Sequence, residues 1–371
     1  MISSLHIEGY RSFSRFDMDR LGRINLLVGK NNSGKTSVLE AVYLLFSEGN
    51  ESSLVKILAN RGERLPNIAP IHGTGSAALQ HIELDVRHLF AGHSFTENTS
   101  FTVSAYEDFE KRDLIMTLIS SGSYIAQGRD SRARKYREAA IRSPINIQVT
   151  LPPSQSHWLI RLTEAGGLDT FSAHARAPSG FYPAKFIFIN SLASNDLVTA
   201  WNSIALTPNE ALVIKALQAV DPSIEKIAVQ IGGPIWVPLA RDGFIVKQKG
   251  IDQPVPIGSM GDGMWRMLAM AIAITQCQGG VLLVDEIDTG LHYTMMVKMW
   301  TLIYTAARDL DVQVFATTHS EECVRSLAEI DVDSRTEQAV SVQRIEAGKA
   351  RSVSFDQEEV AIAAASAIEV R

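Results

Sequence analysis

The sequence has few cysteines, no signal peptide and no long apolar run. Its 2 cysteines, Cys277 and Cys323, lie far apart and lack the spacing of metal ligands. Because the cysteines are few and far apart and no signal peptide is visible, we predict a protein of the reducing cytoplasm. No uninterrupted apolar run reaches about 18 residues, so we predict no membrane span and no membrane partner.

The sequence also lacks an excess of positive charge. The net charge is −6 at pH 7, so contact with nucleic acid would need a local basic patch. The most basic stretch is 128–142, which includes Arg132, Arg134, Lys135 and Arg137. Two interpretations of this stretch stay open: a solvated loop or helix face, and a contact with the phosphate backbone of a nucleic acid.

What the sequence does contain is a strand, a glycine-rich loop and a helix in succession. The apolar run 24–28 leads into Gly29-Lys-Asn-Asn-Ser-Gly-Lys35-Thr36, which matches G-x-x-x-x-G-K-[ST], and a helical apolar pattern follows. In such a loop the backbone N–H groups and the helix N-terminus bind phosphate oxygens. Lys35 adds a positive charge, and the Thr36 hydroxyl can bind Mg²⁺. The motif therefore predicts a nucleotide-binding P-loop.

Two further apolar runs end in residues that suit phosphate chemistry. The run 281–284 is followed by Asp285 and Glu286, as in a Walker B strand, whose carboxylates emerge beside the phosphates. Asp285 would hold Mg²⁺, and Glu286 would polarise the attacking water. The run 312–318 is followed by His319, which a parallel strand would bring near the γ-phosphate.

A third segment, Ser259-Met-Gly261-Asp-Gly263, precedes a helix that is apolar nearly all round. A serine and glycines at the start of a helix suit an anion, although a tight turn with a helix cap has the same composition.

The order of these motifs resembles the ATP-binding-cassette (ABC) class of ATPases. Within that class the chain resembles the overcoming-lysogenization-defect (OLD) type, kin of RecF and of SMC heads. The resemblance implies an α/β fold with a mixed central sheet, an antiparallel β lobe and a helical lobe that carries the signature motif. The segments that carry the likeness are Leu5–Phe13, Gly258–Arg266, Asp285–His292, Ala316–Ser320 and Ala367–Arg371.

The resemblance also implies roles for single residues. Glu286 would be the catalytic base, His319 the switch histidine, and Thr36 and Asp285 the Mg²⁺ ligands. Ser259 and Gly261 would reach the γ-phosphate of a second subunit, and Asp288 would lie in a loop that crosses the dimer interface. The family's Q-loop place falls at Asn190-Ser191, where no glutamine stands. The triphosphate would be bound by Gly29, Asn31, Asn32, Ser33, Gly34, Lys35 and Thr36, of which Lys35 also serves catalysis.

We expect one ATPase domain over residues 1–371. Its parts would be the first strands and P-loop (1–50), a β lobe with the inserted basic segment (81–165), a helical lobe with the signature (192–275), and a final part with the Walker B strand, His319 and C-terminal strands (280–371). Smaller predictions are a helix at 52–60, strands at 82–86 and 235–239, and a loop at 166–185.

The implied function is that of an ATP-dependent homodimer, with ATP held between the P-loop of one subunit and the signature of the other. OLD nucleases carry a Toprim domain, and the about 50 residues after His319 are too few for one. We therefore expect an ATPase that senses or clamps nucleic acid or a phage product. It would control a separately encoded effector, such as a nuclease, in anti-phage defence.

Three alternatives remain. A RecF-like DNA repair ATPase would bind duplex DNA. The motor of a transporter is disfavoured, because the signature reads Ser-Met-Gly-Asp-Gly instead of Leu-Ser-Gly-Gly-Gln. A scaffold that binds ATP without turnover is disfavoured by Glu286.

Overall fold

The computed structural model describes residues 1–66, 83–107, 110–120, 145–153, 156–169, 183–188, 194–230, 243–331 and 339–366. Four predictions lie outside these residues: the basic stretch 128–142, the strand at 235–239, the Q-loop place Asn190-Ser191, and the segment Ala367–Arg371.

The described residues form strands and helices with the following bounds. The strands are β1 (Ile2–Tyr10), β2 (Phe13–Met18), β3 (Ile24–Val28), β4 (Glu83–Asp85), β5 (Ser100–Glu107), β6 (Glu110–Ser120), β7 (Ile145–Leu151), β8 (Ser156–Arg161), β9 (Gly167–Asp169), β10 (Ala184–Ile187), β11 (Ile224–Val229), β12 (Phe244–Gln248), β13 (Val255–Pro256), β14 (Val281–Val284), β15 (Gln313–Thr317), β16 (Val340–Arg344) and β17 (Val353–Asp356). The α-helices are α1 (Lys35–Phe46), α2 (Glu51–Arg61), α3 (Ser194–Ile204), α4 (Pro208–Val220), α5 (Asp262–Thr275), α6 (Tyr293–Asp309), α7 (Glu321–Ala328) and α8 (Gln357–Ala365). Short 3₁₀ turns cover Val86–Leu89, Ala91–His93 and Ile257–Met260.

The mixed sheet has the strand order β10-β14-β15-β3-β16-β17. Its neighbours are parallel except for β16 and β17, which pair antiparallel. Strands β3, β14 and β15 are buried throughout, as expected for parallel strands covered on both faces. Val284 lies opposite Ala316, and Thr317 lies opposite Leu27, so the carboxyl ends of the three strands meet at one edge.

A second, antiparallel sheet has the order β2-β1-β5-β6-β7-β8. Helix α1 packs between this sheet and the mixed sheet, and nearly all of its residues are buried. Alternate side chains of the mixed sheet serve its two faces: Leu27 belongs to the core around α1, and Leu26 belongs to the core on the opposite face. The P-loop helix therefore lies at the centre of the molecule.

The opposite face of the mixed sheet is covered by helices, above all by α5. Residues 264–275 of α5 are all buried, which explains why its sequence is apolar nearly all round. The small sheet β11-β12-β13 packs beside this helix, with the rings of Phe244 and Trp265 6.0 Å apart. Within the described ranges, none of the helices has the length and apolar character needed to span a bilayer.

Two predictions made from the sequence need correction. The strand predicted at 82–86 ends at Asp85, because the Asp85 carboxylate accepts a hydrogen bond from the Arg87 N–H and starts a 3₁₀ turn. Part of the loop predicted at 166–185 is strand β9, which pairs with β4 and buries Leu168. The pairing of β4 with β9 places β4 outside the six-stranded antiparallel sheet. The helix predicted at 52–60 is confirmed as α2, which is capped by Asn50.

Candidate nucleotide-binding site

The P-loop connects β3 to α1 and has a shape that only glycine permits at two positions. Gly29 has φ 137°, and a Cβ there would lie 2.2 Å from the Ile345 carbonyl oxygen. Gly34 has φ 104°, and a Cβ there would lie 2.4 Å from Cζ of Phe13. Any side chain at either position would collide and be strained, so both glycines are needed for this loop.

Lys35 directs its charge back into the loop. It is buried, and its Nζ donates hydrogen bonds to the carbonyl oxygens of Gly29 (2.7 Å) and Lys30 (2.9 Å). Burial lowers the pKa of Lys35, whereas the negative charges of Asp285 and Glu286 act to raise it. The ammonium group is thus held inside the phosphate-binding loop, close to acidic groups.

Ser33 has a buried hydroxyl without a hydrogen-bond partner in the part of the chain that the structure describes. Its exposed fraction is 4%, and Oγ has no hydrogen bond among the described residues. Burying such a group is unfavourable unless a ligand satisfies it, and a phosphate oxygen would accept this hydrogen bond. Asn31 and Asn32 are exposed at the tip of the loop. The P-loop residues therefore fit a triphosphate.

Asp285 lies at the end of β14, where two hydroxyl groups converge on its carboxylate. Thr36 Oγ1 lies 3.2 Å from both carboxylate oxygens, and Thr317 Oγ1 donates to Oδ1 at 2.6 Å. Carboxylate and hydroxyl oxygens are the ligands that Mg²⁺ prefers. The pair Thr36 and Asp285 therefore fits a magnesium ion.

Glu286 has an unusual backbone that three neighbours hold in place. Its φ of 46° is in the left-handed region, which costs a non-glycine residue about 1–3 kcal/mol. The Glu286 N–H donates to Thr317 Oγ1 (2.8 Å), and the Glu286 carbonyl accepts from Nη2 of Arg266 (2.6 Å). Its carboxylate accepts from Thr289 Oγ1 (3.2 Å) and is only partly buried.

A similar contact joins the loops of Asp288 and His319. Thr318 Oγ1 donates to Oδ1 of Asp288 at 2.6 Å and accepts from the Ser320 N–H at 2.9 Å. His319 is half-buried and lies two residues after the end of β15, the strand that pairs with β14.

Ser259 and Gly261 lie on the exposed surface. In the described part of the chain, no hydrogen bond joins either residue to the P-loop. The segment instead adjoins the loop that carries Asp288: a Cβ on Gly290 would lie 3.5 Å from Cβ of Asp262. The structure brings Lys35, Thr36, Asp285 and Glu286 together and leaves the signature residues facing outward.

Four residues with contacts at this site escaped the sequence analysis, namely Arg266, Thr289, Thr317 and Thr318. All of them stand inside the segments that carry the family likeness. The available signal was a pair of consecutive hydroxyl residues at the end of a buried strand, and an arginine inside an otherwise apolar helix.

The fold and the site together define an ABC-type P-loop ATPase with an SMC-head-like architecture. The chain belongs to the family described as "AAA domain, putative AbiEii toxin, Type IV TA system", whose model matches residues 24–325. Membership in this ATPase family implies nucleotide binding.

The chain is also similar to several known proteins. It is 22% identical over 347 residues to an ATP/GTP phosphatase of Helicobacter pylori, covering 89% of this chain and 88% of that protein. A shorter match joins it to the DNA replication and repair protein RecF of Clostridioides difficile, with 39% identity over 44 residues and 12% of each chain covered. Among solved structures, it is similar to an SMC head bound to the C-winged helix domain of ScpA. That similarity has a TM-score of 0.50 and 13% identity, and covers 96% of this chain and 98% of that one.

Proposed function

We propose that this protein binds ATP and hydrolyses it to ADP and phosphate. The observation that carries this proposal is the convergence of Thr36, Asp285 and Thr317 at the carboxyl ends of three adjacent parallel strands. The convergence adjoins a P-loop that holds a buried lysine and a serine hydroxyl without a hydrogen-bond partner among the described residues.

The roles follow from the positions of these groups. The loop from Gly29 to Thr36 binds the phosphates, and Lys35 offsets their charge. Thr36 and Asp285 hold Mg²⁺, which neutralises phosphate charge when it is bound. Glu286 accepts a proton from the water that attacks the γ-phosphorus, and the leaving group is ADP. His319 donates a hydrogen bond to the γ-phosphate.

The substitution Glu286→Gln tests this assignment. It keeps the side-chain shape and removes the base, so we expect phosphate release to fall by about 100-fold or more while the affinity for a fluorescent ATP analogue is kept. Glu358→Gln, at an exposed position of α8, is the matched control and should retain the wild-type rate. A wild-type rate in Glu286→Gln would remove Glu286 from the mechanism. A wild-type protein that binds ATP without turnover would instead be a scaffold.

We further propose that the ATP-bound form is a homodimer. Ser259 and Gly261 are exposed and make no hydrogen bond to their own P-loop within the described ranges, which suits a contact with the nucleotide of a second copy. Asp288 would then lie at the interface. In this account residues 1–371 work as one ATPase domain.

The cellular role that we propose is that of an OLD-type ATPase in the cytoplasm. Its dimer would sense or clamp nucleic acid or a phage product and control a separately encoded effector, such as a nuclease, in anti-phage defence. The support for this proposal is the set of motif segments that resemble the OLD-type ATPases. A pull-down of Glu286→Gln with ATP and Mg²⁺ from the native host tests it, because a stoichiometric partner encoded nearby is expected.

A second candidate function is that of a RecF-like DNA repair ATPase, which the short matches to RecF favour. Duplex DNA should then stimulate phosphate release, and the pull-down should recover DNA without a protein partner.

A further inference from the structure

Arg266 connects the signature helix to the catalytic loop. It lies in the second turn of α5, a helix that begins directly after Gly261, and its exposed fraction is 4%. Its Nη2 donates hydrogen bonds to the carbonyl oxygens of Asp285 (3.1 Å) and Glu286 (2.6 Å). Both acceptors are backbone atoms of the two acids that the mechanism uses.

Arg266 lies in a buried environment with three carboxylates nearby. Burial lowers the pKa of Arg266, and the carboxylates of Asp288, Glu286 and Asp285 act in the opposite direction. Its Nε has no hydrogen bond partner among the described residues. Because the buried Arg266 guanidinium donates to the carbonyls of Asp285 and Glu286, it holds the backbone of these two residues in place. Their carboxylates remain available to other partners.

Arg266 contacts the backbone of Glu286, which has an unfavourable conformation. Glu286 has φ 46°, a conformation that a glutamate adopts only when its neighbours hold it. Thr317 Oγ1 accepts from the N–H of Glu286, and the Glu286 carbonyl accepts from Arg266 Nη2 at 2.6 Å and more weakly from the Thr289 N–H at 3.1 Å. The direction of the Glu286 carboxylate depends on both bonds, since they flank its Cα.

We propose that Arg266 is a positioning residue for Glu286. From α5, the helix that follows the signature segment, Arg266 would fix the direction of the Glu286 carboxylate. The proposal rests on the hydrolytic function proposed above. It adds a physical link between the place where a second copy would contact the nucleotide, at Ser259 and Gly261, and the residue that activates water.

The test compares Arg266→Met with Arg266→Lys. Methionine removes both hydrogen bonds, so we expect kcat to fall by about 30-fold, while KM for ATP and the Kd of a fluorescent ATP analogue stay within about twofold. Lysine offers a charged donor of similar length, so it should restore at least half of the loss on a logarithmic scale. Retained thermal stability shows that each variant is folded.

Arg23→Met is the matched control. Arg23 also donates from Nη1 to two backbone carbonyls, those of Ala307 (3.1 Å) and Val312 (3.3 Å), and its Nε likewise has no partner within the described residues. It precedes β3, at the end opposite the P-loop. We expect the wild-type kcat from this variant.

The outcomes separate the positioning role from the function on which it rests. If the wild-type protein hydrolyses ATP and Arg266→Met has the same kcat, the positioning role alone is overturned. A parallel loss of kcat and ATP affinity in Arg266→Met overturns it as well. A wild-type protein without turnover overturns the proposed function as well. If Arg266→Met does not fold, Arg266→Gln replaces it, with the same expected loss of kcat, and an unchanged kcat overturns the role.

Discussion

At the scale of single residues, one hydroxyl group organises both Walker B acids. Thr317 is 1% exposed, and its Oγ1 accepts from the Glu286 N–H at 2.8 Å and donates to Asp285 Oδ1 at 2.6 Å. A hydroxyl group can serve both bonds because it carries one donor and two acceptor positions. The positions of Asp285 and Glu286 therefore depend on contacts with a single threonine hydroxyl.

Thr317→Val should separate this support from nucleotide binding. The substitution keeps the shape and leaves the Glu286 N–H without its partner, so the free energy of unfolding should fall by about 1–3 kcal/mol. Phosphate release should fall by about tenfold, which corresponds to ~1.4 kcal/mol, and binding of a fluorescent ATP analogue should persist.

Thr275→Val is the control for that experiment. Thr275 is also buried, but its hydroxyl donates to Ile272 within its own helix. We expect its phosphate release to match the wild type. Equal rates in Thr317→Val and Thr275→Val would contradict the organising role of Thr317.

The side chains that converge at the proposed site could be predicted from the sequence, and the side chains that hold them in position could not. Lys35, Thr36, Asp285 and Glu286 stand at fixed distances from glycines or strand ends, and that spacing is visible in the sequence. The roles of Thr317 and Arg266 depend on the register of β14 against β15 and on the direction of α5. Sequence spacing carries no information about either.

At the scale of elements, the P-loop helix is held by a buried ionic cluster. Glu40 of α1 is fully buried and lies 2.6 Å from Nε of Arg11 and 2.6 Å from Nε of Arg61, and it accepts from the Tyr10 hydroxyl at 3.2 Å. Arg11 also pairs with Glu63 at 2.7 Å. The cluster joins the β1–β2 turn and the end of α2 to the helix that begins at the nucleotide site.

Glu40→Gln should destabilise the protein strongly. It removes the charge that compensates two buried or half-buried guanidinium groups, so the free energy of unfolding should fall by about 3 kcal/mol. Urea denaturation measures this change. Asp309→Asn, which breaks the exposed pair of Arg308 and Asp309, should cost less than about 1 kcal/mol. Similar losses in the free energy of unfolding for the two variants would show that the buried cluster stabilises the protein no more than an exposed ion pair does.

Elements with a strong local pattern matched their predictions closely. The helix predicted at 52–60 is confirmed by α2, and the apolar helix expected after the segment 259–263 is α5. The short pair β4 and β9 could not be predicted, because strands of 3 residues carry too little periodicity and form only through their mutual pairing.

At the scale of the whole molecule, the structure presents the two halves of the predicted ATP sandwich separately. The P-loop and the Walker B acids lie at the edge of the mixed sheet, whereas Ser259 and Gly261 are exposed beside the Asp288 loop. No sequence pattern within one chain tells whether these surfaces meet in a second copy. The dimer is therefore the central claim that needs measurement.

The most direct measurement is the mass of Glu286→Gln by light scattering, with and without ATP and Mg²⁺. The chain has a mass of 40.7 kDa, and we predict that mass without nucleotide and twice that mass with it. A second variant that adds Ser259→Arg to Glu286→Gln should bind ATP and remain at the single-chain mass. A Glu286→Gln protein that is saturated with ATP and stays at the mass of one chain would contradict the account.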